Sequence, residues 1–393
     1  MDKVVRLMLV SENNNNKFYD MIAHGDTFTA NWGRVGAKCQ TKDYPISSWD
    51  KVYREKTNPN KSGGPYTDVT AHASINKTEK NLNIKDKDVK ALINFLMSSA
   101  KQSITESYTV AVNEVTKKQL ESAQELLEKL SIMSGKKTIS TEEVNEVLLL
   151  LYRTIPRKMK DTRKYLLQEA SHTFLDELLA NEQNLLNTLS TQVVVSTSTS
   201  EEITLDSLNL SVEVASAEDR ERIAKETDFK VGSQKIFKVI NKDTEKVFES
   251  KGKTKLLYHG SRNENYLSIM MNGLKVNPVG VQINGKMFGY GVYAANKAQK
   301  SIGYTSLRGS CWATGSSDKA YLAIFEFNLG KMWDIFDGGK RHDSSMCSLN
   351  EQKVSAKGYD SVYAKGGYDL RNDEFIVYRS TQCTIKYLIE LSK

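Results

Sequence analysis

The stretch Leu257-Tyr258-His259-Gly260-Ser261-Arg262 decides the fold of the C-terminal half of this chain, because an apolar run ends there in a polar turn opened by glycine. Three further segments follow it in order. They are Gly289-Tyr290-Gly291-Val292-Tyr293-Ala294-Ala295, Lys300-Ser301-Ile302-Gly303-Tyr304 and Asn372-Asp373-Glu374-Phe375-Ile376-Val377-Tyr378. Together they carry a histidine, several tyrosines and two adjacent acids, the chain's densest group of side chains that could do chemistry.

The residues around these segments alternate as strands do. The expected strands are Leu205–Val214, Phe229–Ile240, Tyr321–Leu329, Ser361–Ala364, Phe375–Arg379 and Ile385–Leu391. A charged helix is expected over Ala217–Glu226. We therefore predict an α+β domain with a mixed sheet over residues 203–393, preceded by a Ser/Thr-rich linker at 196–200.

The middle of the chain, residues 81–195, is predicted to be an α-helical bundle. Apolar residues recur there at helical spacing, as in Val89, Leu92, Ile93, Leu96 and Met97 and again in Leu120, Ala123, Leu126, Leu127 and Leu130. Thr141-Glu142-Glu143 predicts an N-cap with acids in the first turn, and Ser171–Leu189 predicts a further helix.

Residues 1–80 have the pattern of a small antiparallel sheet. Short apolar alternations, Val4–Val10 and Phe28–Trp32, lie between turn-rich segments such as Asn13–Asn16. A helix is expected over Ser47–Glu55, with Trp49, Val52 and Tyr53 on one face.

Length and composition exclude several classes of protein. A chain of 393 residues predicts two or three domains. The longest apolar run, Val147–Tyr152, is far shorter than the roughly 20 residues that span a bilayer, and the N-terminus lacks the features of a signal peptide. The four cysteines form no CxxC pair, so we expect reduced thiols, no metal and an intracellular protein. The net charge of +7 is compatible with a polyanionic partner.

The four C-terminal segments, in this order, resemble the catalytic domain of poly(ADP-ribose) polymerases of the diphtheria-toxin-like ADP-ribosyltransferase class. Its mark is a His–Tyr–Glu triad on separated strands, matched here by His259, Tyr293 and Glu374. Alone, each residue has a plainer interpretation: a strand-end histidine, a core tyrosine and a solvated edge acid. Their joint occurrence with Tyr304 favours the catalytic interpretation.

The resemblance implies NAD as co-substrate, with no metal, and a role for each matching residue. Tyr293 and Tyr304 would sandwich the nicotinamide ring, while the Gly260 backbone and the Ser301 hydroxyl would hold its carboxamide. His259 would bond the adenosine ribose, and Glu374 would stabilise positive charge on the other ribose and polarise the attacking hydroxyl. Looser matches at NAD-contacting positions are Ser261, Ser268 and Lys275. Lys275 stands where the family usually has arginine. Residues 276–287 would form the loop over the donor site.

The first two blocks support the same family. Ala30-Asn31-Trp32-Gly33-Arg34-Val35-Gly36 resembles the signature of the WGR domain. This implies DNA contact, with Trp32 stacking on a sugar or base and Arg34 bonding a phosphate. The alternative is a core anchor and a solvated strand end. Leu151-Tyr152-Arg153-Thr154-Ile155-Pro156 and the segment 116–123 resemble the helical regulatory domain of DNA-dependent members, although an inert structural bundle is the alternative.

The sequence thus predicts three parts: a WGR domain at 1–80, a helical regulatory domain at 81–195 and a transferase domain at 203–393. The expected function is poly(ADP-ribose) synthesis in response to DNA breaks, on protein acceptors that include the enzyme itself, without membrane association. Nuclear residence is an expectation from the family. The rival functions are mono-ADP-ribosyl transfer on the same scaffold and a DNA-end-binding adaptor with an inactive transferase domain.

Overall fold

The computed structural model of the chain describes residues 3–70, 81–110, 112, 115–197, 202–250, 252–276, 287–335, 344–367 and 370–393. Internal contacts divide the chain into two units, Met1–Thr78 with Gln102–Thr197 and Glu79–Lys101 with Ser198–Lys393. The multidomain α+β class predicted from the sequence is confirmed, since a small antiparallel sheet, long helices and a mixed sheet are all present.

The first unit begins with five antiparallel strands. They are β1 Val4–Ser11, β2 Asn15–His24, β3 Thr27–Arg34, β4 Gln40–Pro45 and β5 Thr67–Asp68, in the sheet order β4-β3-β2-β1-β5. Asn14 closes the first hairpin with a left-handed φ of 57°, which asparagine tolerates better than most residues. Helix α1, Trp49–Thr57, packs on the sheet through Trp49, which meets the Phe28 ring edge-on at 5.1 Å between centroids.

Four long helices follow along the chain. They are α2 Lys87–Ser107, α3 Lys117–Ser134, α4 Thr141–Thr154 and α5 His172–Thr197. The apolar faces predicted by spacing are buried, as Leu92 in α2 and Leu127 in α3 show. Burial of these faces is the main source of helix stability, because an isolated helix of this length is marginal in water.

Two predicted boundaries in the helical region are wrong by a few residues. The N-cap of α4 is Ser140, whose hydroxyl accepts from the Glu143 amide at 3.2 Å, and Thr141 is already helical. Helix α5 continues through Ser196 and Thr197, where the sequence predicts a linker. Tertiary packing extends it, since Val193 and Val195 near its end are buried.

Within the first unit, the segment after α4 docks on the first hairpin of the sheet. The Asn16 amide group donates to the Arg157 carbonyl oxygen at 2.9 Å, and the Thr162 amide donates to Asn14 Oδ1 at 3.0 Å. The Arg153 guanidinium donates to the Val10 carbonyl oxygen at 2.6 Å. These bonds satisfy hairpin and helix-end groups that would otherwise lack partners.

The second unit contains the remaining strands and helices. The strands are β6 Asn81–Leu82, β7 Glu202–Ile203, β8 Leu210–Val214, β9 Ile236–Asn241, β10 Thr254–Gly260, β11 Val292–Ala294, β12 Lys319–Asn328, β13 Met332–Asp334, β14 Ser361–Ala364, β15 Glu374–Val377 and β16 Cys383–Ser392. The helices are α6 Ala217–Glu226, α7 Lys242–Val247, α8 Asn263–Asn272, α9 Ala298–Ile302 and α10 Glu351–Ala356.

Nine of these strands form a five-stranded antiparallel sheet, β10-β12-β16-β9-β8, and a four-stranded sheet, β11-β15-β14-β13, and β6 pairs with β7 in parallel. The β13–β14 pair is parallel, so the second sheet is mixed. Strand β12 lies inside the first sheet, and its residues Leu322, Ile324 and Phe325 are fully buried. The first part of α2 also belongs to this unit: Asp88 pairs with Lys235 at 2.7 Å, and Phe95 lies 5.8 Å from the Tyr321 ring.

Two predicted strands are shorter than expected. In the segment 205–214, residues Asp206–Leu208 form a 3-10 turn that ends at Asn209 with a left-handed φ of 54°, and only Leu210–Val214 pairs as a strand. In the segment 229–240 pairing starts at Ile236, because the Gly232 amide donates to Gln234 Oε1 at 2.7 Å and turns the chain before it. The predicted helix at Ala217–Glu226 is confirmed as α6.

Candidate active site

The site forms where the two sheets of the second unit join. The Tyr258 amide donates to the Ala295 carbonyl oxygen at 2.8 Å, and the Ala295 amide donates back to Tyr258 at 3.1 Å. This pair links the end of β10 to the residue after β11. The residues beside this junction, His259 and Tyr293, are therefore neighbours although 34 positions separate them.

The imidazole of His259 is held in one orientation. Its Nδ1 lies 3.0 Å from the Tyr293 carbonyl oxygen, and its ring meets Phe325 edge-on at 6.1 Å. Because a carbonyl only accepts, Nδ1 carries the proton in the neutral ring and Nε2 is left as an acceptor. Burial lowers the pKa of His259, and the hydrogen bond to Tyr293 partly offsets that effect. A neutral imidazole with an accepting Nε2 suits a sugar hydroxyl.

Gly260 is required by a close backbone approach. A Cβ at this position would lie 1.8 Å from the Ser301 carbonyl oxygen and 3.1 Å from Tyr304 Cβ. No larger residue fits without displacing its neighbours. The Ser301 hydroxyl is buried and donates to the Tyr258 carbonyl oxygen at 3.3 Å. The strand end at 260 and helix α9 thus form one wall.

One carboxylate, Glu374, acts electrostatically on both tyrosines. The Tyr293 hydroxyl donates to the Gly289 carbonyl oxygen at 2.8 Å and accepts from the Phe288 amide at 3.1 Å, which fixes its ring. Burial raises the pKa of Tyr293 well above its usual value, and Glu374 adds to the rise. Burial, followed by Glu374, also raises the pKa of Tyr304 to about 12. Both phenols therefore stay protonated at neutral pH.

Glu374 begins strand β15 and pairs with Lys300 of helix α9. The two side chains are only 12% and 13% exposed, so solvent screens this ion pair weakly. The ammonium group holds the carboxylate in one position. Sequence reasoning assigned no role to Lys300, although this residue lies in the quoted motif directly before Ser301.

Asp373 anchors the start of β15. Its carboxylate accepts from Asn296 Nδ2 at 3.0 Å, from the Tyr363 hydroxyl at 3.0 Å and from the Gly366 amide at 2.9 Å. These donors come from the segment after β11, from β14 and from the following loop. The backbone of Glu374 is held by this network, a role that the sequence did not predict for Asp373.

The looser predictions lie further from this cluster. Ser261 Oγ accepts from Asn265 at 3.1 Å, and Ser268 is buried in α8, where its hydroxyl accepts from Asn272 at 3.3 Å. Lys275 is exposed beyond the end of α8. Among the hydrogen bonds of the described residues, none joins Ser268 or Lys275 to the cluster. Most of the predicted loop over the donor site, residues 277–286, lies outside the described residues.

The two residues predicted to contact DNA lie in the first unit on strand β3. Trp32 is half-buried, and its indole stacks on the Tyr19 ring at 5.7 Å. Arg34 donates to the Asn14 carbonyl oxygen at 2.8 Å and to the Lys160 carbonyl oxygen at 2.7 Å. In this arrangement the guanidinium binds the hairpin and the segment after α4.

Membrane spans and metal clusters are both absent from the described residues. None of their helices has the length and apolar character needed to cross a membrane. In the same residues, no group of three or more histidine, cysteine, aspartate or glutamate side chains is placed to hold a metal ion.

Comparison with known families matches two parts of the chain. Residues 214–393 match the poly(ADP-ribose) polymerase catalytic domain, and residues 4–68 match the WGR domain. Invertebrate iridescent virus 6 has two similar proteins. Its uncharacterized protein 101L is 34% identical over 195 residues, which are 49% of this chain and 79% of the viral protein. Its putative poly [ADP-ribose] polymerase-like 100L is 35% identical over 142 residues, 36% of this chain and 72% of the viral protein. Human poly [ADP-ribose] polymerase 2 is 26% identical over 157 residues, 35% of this chain but only 26% of the human protein.

Proposed function

The chain belongs to the poly(ADP-ribose) polymerase family, and from this premise we propose that it is a DNA-dependent poly(ADP-ribose) polymerase. It carries the catalytic domain of an NAD-dependent ADP-ribosyltransferase, together with a WGR domain. The proposal adds the finer points: protein side chains as acceptors, the enzyme's own included, elongation to a polymer, and activation by DNA breaks. Its main support is Glu374, which pairs with Lys300 and contributes to the raised pKa of both tyrosines.

In the proposed pocket, the protein recognises the nicotinamide end of NAD by shape and hydrogen bonding. Tyr293 and Tyr304 provide two aromatic walls, which suit offset stacking of a flat ring. The backbone of Gly260 and the hydroxyl of Ser301 hold the carboxamide, since both lie on the wall formed by the strand end at 260 and helix α9. His259 accepts a hydrogen bond at Nε2 from a hydroxyl of the adenosine ribose. Ser261, Ser268 and Lys275 remain proposals for the adenosine end.

The chemistry in this site is electrostatic. Nicotinamide leaves NAD as a neutral molecule, so no general acid is required. The Glu374 carboxylate stabilises the positive charge that develops on the ribose and then polarises the attacking hydroxyl. Lys300 holds that carboxylate in place before substrate arrives, which lowers the reorganisation that the transition state demands. No covalent intermediate with the protein is needed.

DNA dependence is proposed to arise through the WGR domain. Trp32 has an exposed part that can stack on a sugar or base. For Arg34 to bond a phosphate, its guanidinium must exchange at least one of its carbonyl partners. DNA activates the enzyme only if it binds the active arrangement of the chain better than the inactive one. A 100-fold difference in affinity corresponds to about 2.7 kcal/mol of coupling.

The deciding experiment incubates the purified full chain with labelled NAD, with and without nicked DNA, and resolves the products on a gel. A ladder that depends on DNA supports the proposed polymerase. A single shift of each acceptor would instead indicate a mono-ADP-ribosyltransferase. Tight DNA binding with no NAD consumption would indicate an adaptor with an inactive transferase domain.

The role of Glu374 has its own test. The variant Glu374→Gln keeps the size of the side chain but removes its charge, so we expect polymer to disappear while NAD still binds, measured by gel and by calorimetry. The matched control is Glu351→Gln, which removes a 55% exposed carboxylate in the same unit and should leave polymer unchanged. Normal long polymer from Glu374→Gln would refute the assigned role.

The domain boundaries at 80 and between 195 and 203 stay predictions, to be tested by limited proteolysis. Residence in the nucleus and a part in DNA repair also belong to the proposal. Imaging of the tagged chain in cells, before and after DNA damage, tests both.

A further inference from the structure

Trp312 presents an unusual combination of exposure and contact. Its side chain is 64% exposed, yet its indole stacks on the Tyr304 ring, with 6.1 Å between the ring centroids and 19° between their planes. A single exposed apolar ring needs no functional explanation by itself, so the stack on Tyr304 is what singles out Trp312. Tyr304 is one of the two tyrosines proposed to stack on nicotinamide.

The backbone around Trp312 is built to hold the indole against this ring. The amides of Trp312 and Ala313 both donate to the Gly303 carbonyl oxygen, at 3.0 Å and 3.1 Å. Arg262 donates to the Ala313 carbonyl oxygen at 3.1 Å, which ties the loop to the strand end that carries His259. A Cβ on Gly303 would lie 3.0 Å from Trp312 Cδ1, so glycine permits this approach.

Two parts of the chain pack against Tyr304. On one side lies the strand end, since a Cβ at Gly260 would lie 3.1 Å from Tyr304 Cβ. Trp312 comes from the loop that folds back on Gly303. An aromatic ring stacked on a second ring loses rotational freedom, and a ring has two faces, so the stack on Trp312 leaves one face of Tyr304 for a third ring in the proposed pocket.

We infer that Trp312 is a positioning residue for the nicotinamide site: it backs Tyr304 and fixes that ring for stacking on the substrate. The inference rests on the proposed function, because it gives Trp312 a purpose only if Tyr304 receives nicotinamide. Trp312 acts through Tyr304 and makes the site selective for flat aromatic rings. It serves binding of the ring and not the charge chemistry at Glu374.

The test compares Trp312→Ala and Trp312→Phe with a matched control. Trp333 stacks on Tyr359 in nearly the same geometry, 6.0 Å and 16°, so Trp333→Ala removes an equivalent stack elsewhere in the unit. Nicotinamide binding is measured by calorimetry, and KM and kcat for NAD are measured with the full chain and nicked DNA. We expect Trp312→Ala to raise the Kd for nicotinamide and the KM for NAD about five-fold, which corresponds to the interaction energy of one aromatic pair. The value of kcat should stay within two-fold of the wild type. Trp312→Phe should restore both values, and Trp333→Ala should leave them unchanged.

The variant Tyr304→Ala separates failure of the inference from failure of the proposed function. If Tyr304→Ala loses nicotinamide binding while Trp312→Ala keeps wild-type affinity or binds more tightly, the inference is overturned and the proposed pocket stands. If Tyr304→Ala also binds nicotinamide normally, the proposed pocket itself is wrong. A fall in kcat alone, or a failure of Trp312→Phe to rescue KM, would likewise overturn the inference.

Discussion

Substitution of Gly260 by alanine is the strongest single test of the site, because the structure gives the size of the displacement that the added methyl group would force. The added Cβ would lie 1.8 Å from the Ser301 carbonyl oxygen, whereas ordinary contacts begin at 3.4 Å. The obstacle is backbone and cannot swing aside as a long side chain would. The Ser301 carbonyl group and residue 260 must therefore move apart by about 1.6 Å, the difference between these two distances.

A displacement of this size has a known order of effect. Misplacing a group that orients a substrate by about 1 Å costs on the order of 100-fold in rate. We therefore expect Gly260→Ala to lower kcat/KM for NAD by at least about 100-fold, which corresponds to about 2.7 kcal/mol in the activation free energy. Overpacking also destabilises a fold by about 1–3 kcal/mol, so the melting temperature should fall while the protein still folds.

The assay measures NAD consumption and nicotinamide binding, with thermal unfolding to show that each variant is folded. Gly232→Ala is the control: it lies in the same unit, is exposed, and its Cβ would meet only the side chain of Gln234, at 3.3 Å. This control should keep kcat/KM within two-fold. A folded Gly260→Ala variant with kcat/KM within three-fold of the wild type would refute the argument from the backbone contact.

Two further predictions concern stability. Burial lowers the folded-state pKa of His259 below the ordinary value of about 6.5. The unfolded chain therefore takes up the proton more readily, and the free energy of unfolding falls as pH drops below that value. Urea unfolding at pH 7.5 and 5.5 should show a smaller pH-dependent loss of stability in His259→Gln, and equal losses in variant and wild type would contradict the prediction. Ser140→Ala should lower the free energy of unfolding by about 1 kcal/mol, because the N-cap of α4 is lost, whereas Thr141→Ala should change it little; the opposite order in urea titrations would restore Thr141 as the cap.

Local sequence patterns predicted the elements well where packing agrees with propensity. The α6 helix has the predicted bounds, and the WGR sheet follows the alternation of its apolar residues. Prediction was wrong where tertiary contacts override local preference. Helix α5 runs on through Ser196 and Thr197 because buried valines hold its end, and a side-chain turn at Gln234 delays the start of β9.

The candidate site was only partly visible in the sequence. Motif resemblance singled out His259, Tyr293 and Glu374, because each lies in a short segment with its own pattern. Contacts between residues that are distant in the chain could not be predicted from the sequence. Lys300 reaches Glu374 across 74 positions, and Arg34 reaches Lys160 across 126.

By itself, the sequence determined the fold class, and its motifs predicted which segments carry the candidate site residues. The need for glycine at 260 came from the structure, where a Cβ would meet the Ser301 carbonyl oxygen. Only the tertiary structure decided which of these segments meet, through the bonds between Tyr258 and Ala295, and which ring lies behind Tyr304. The physical reason is the range of the interactions. Periodicity and turn chemistry act over a few residues, whereas the junction of two sheets depends on the packing of the whole unit.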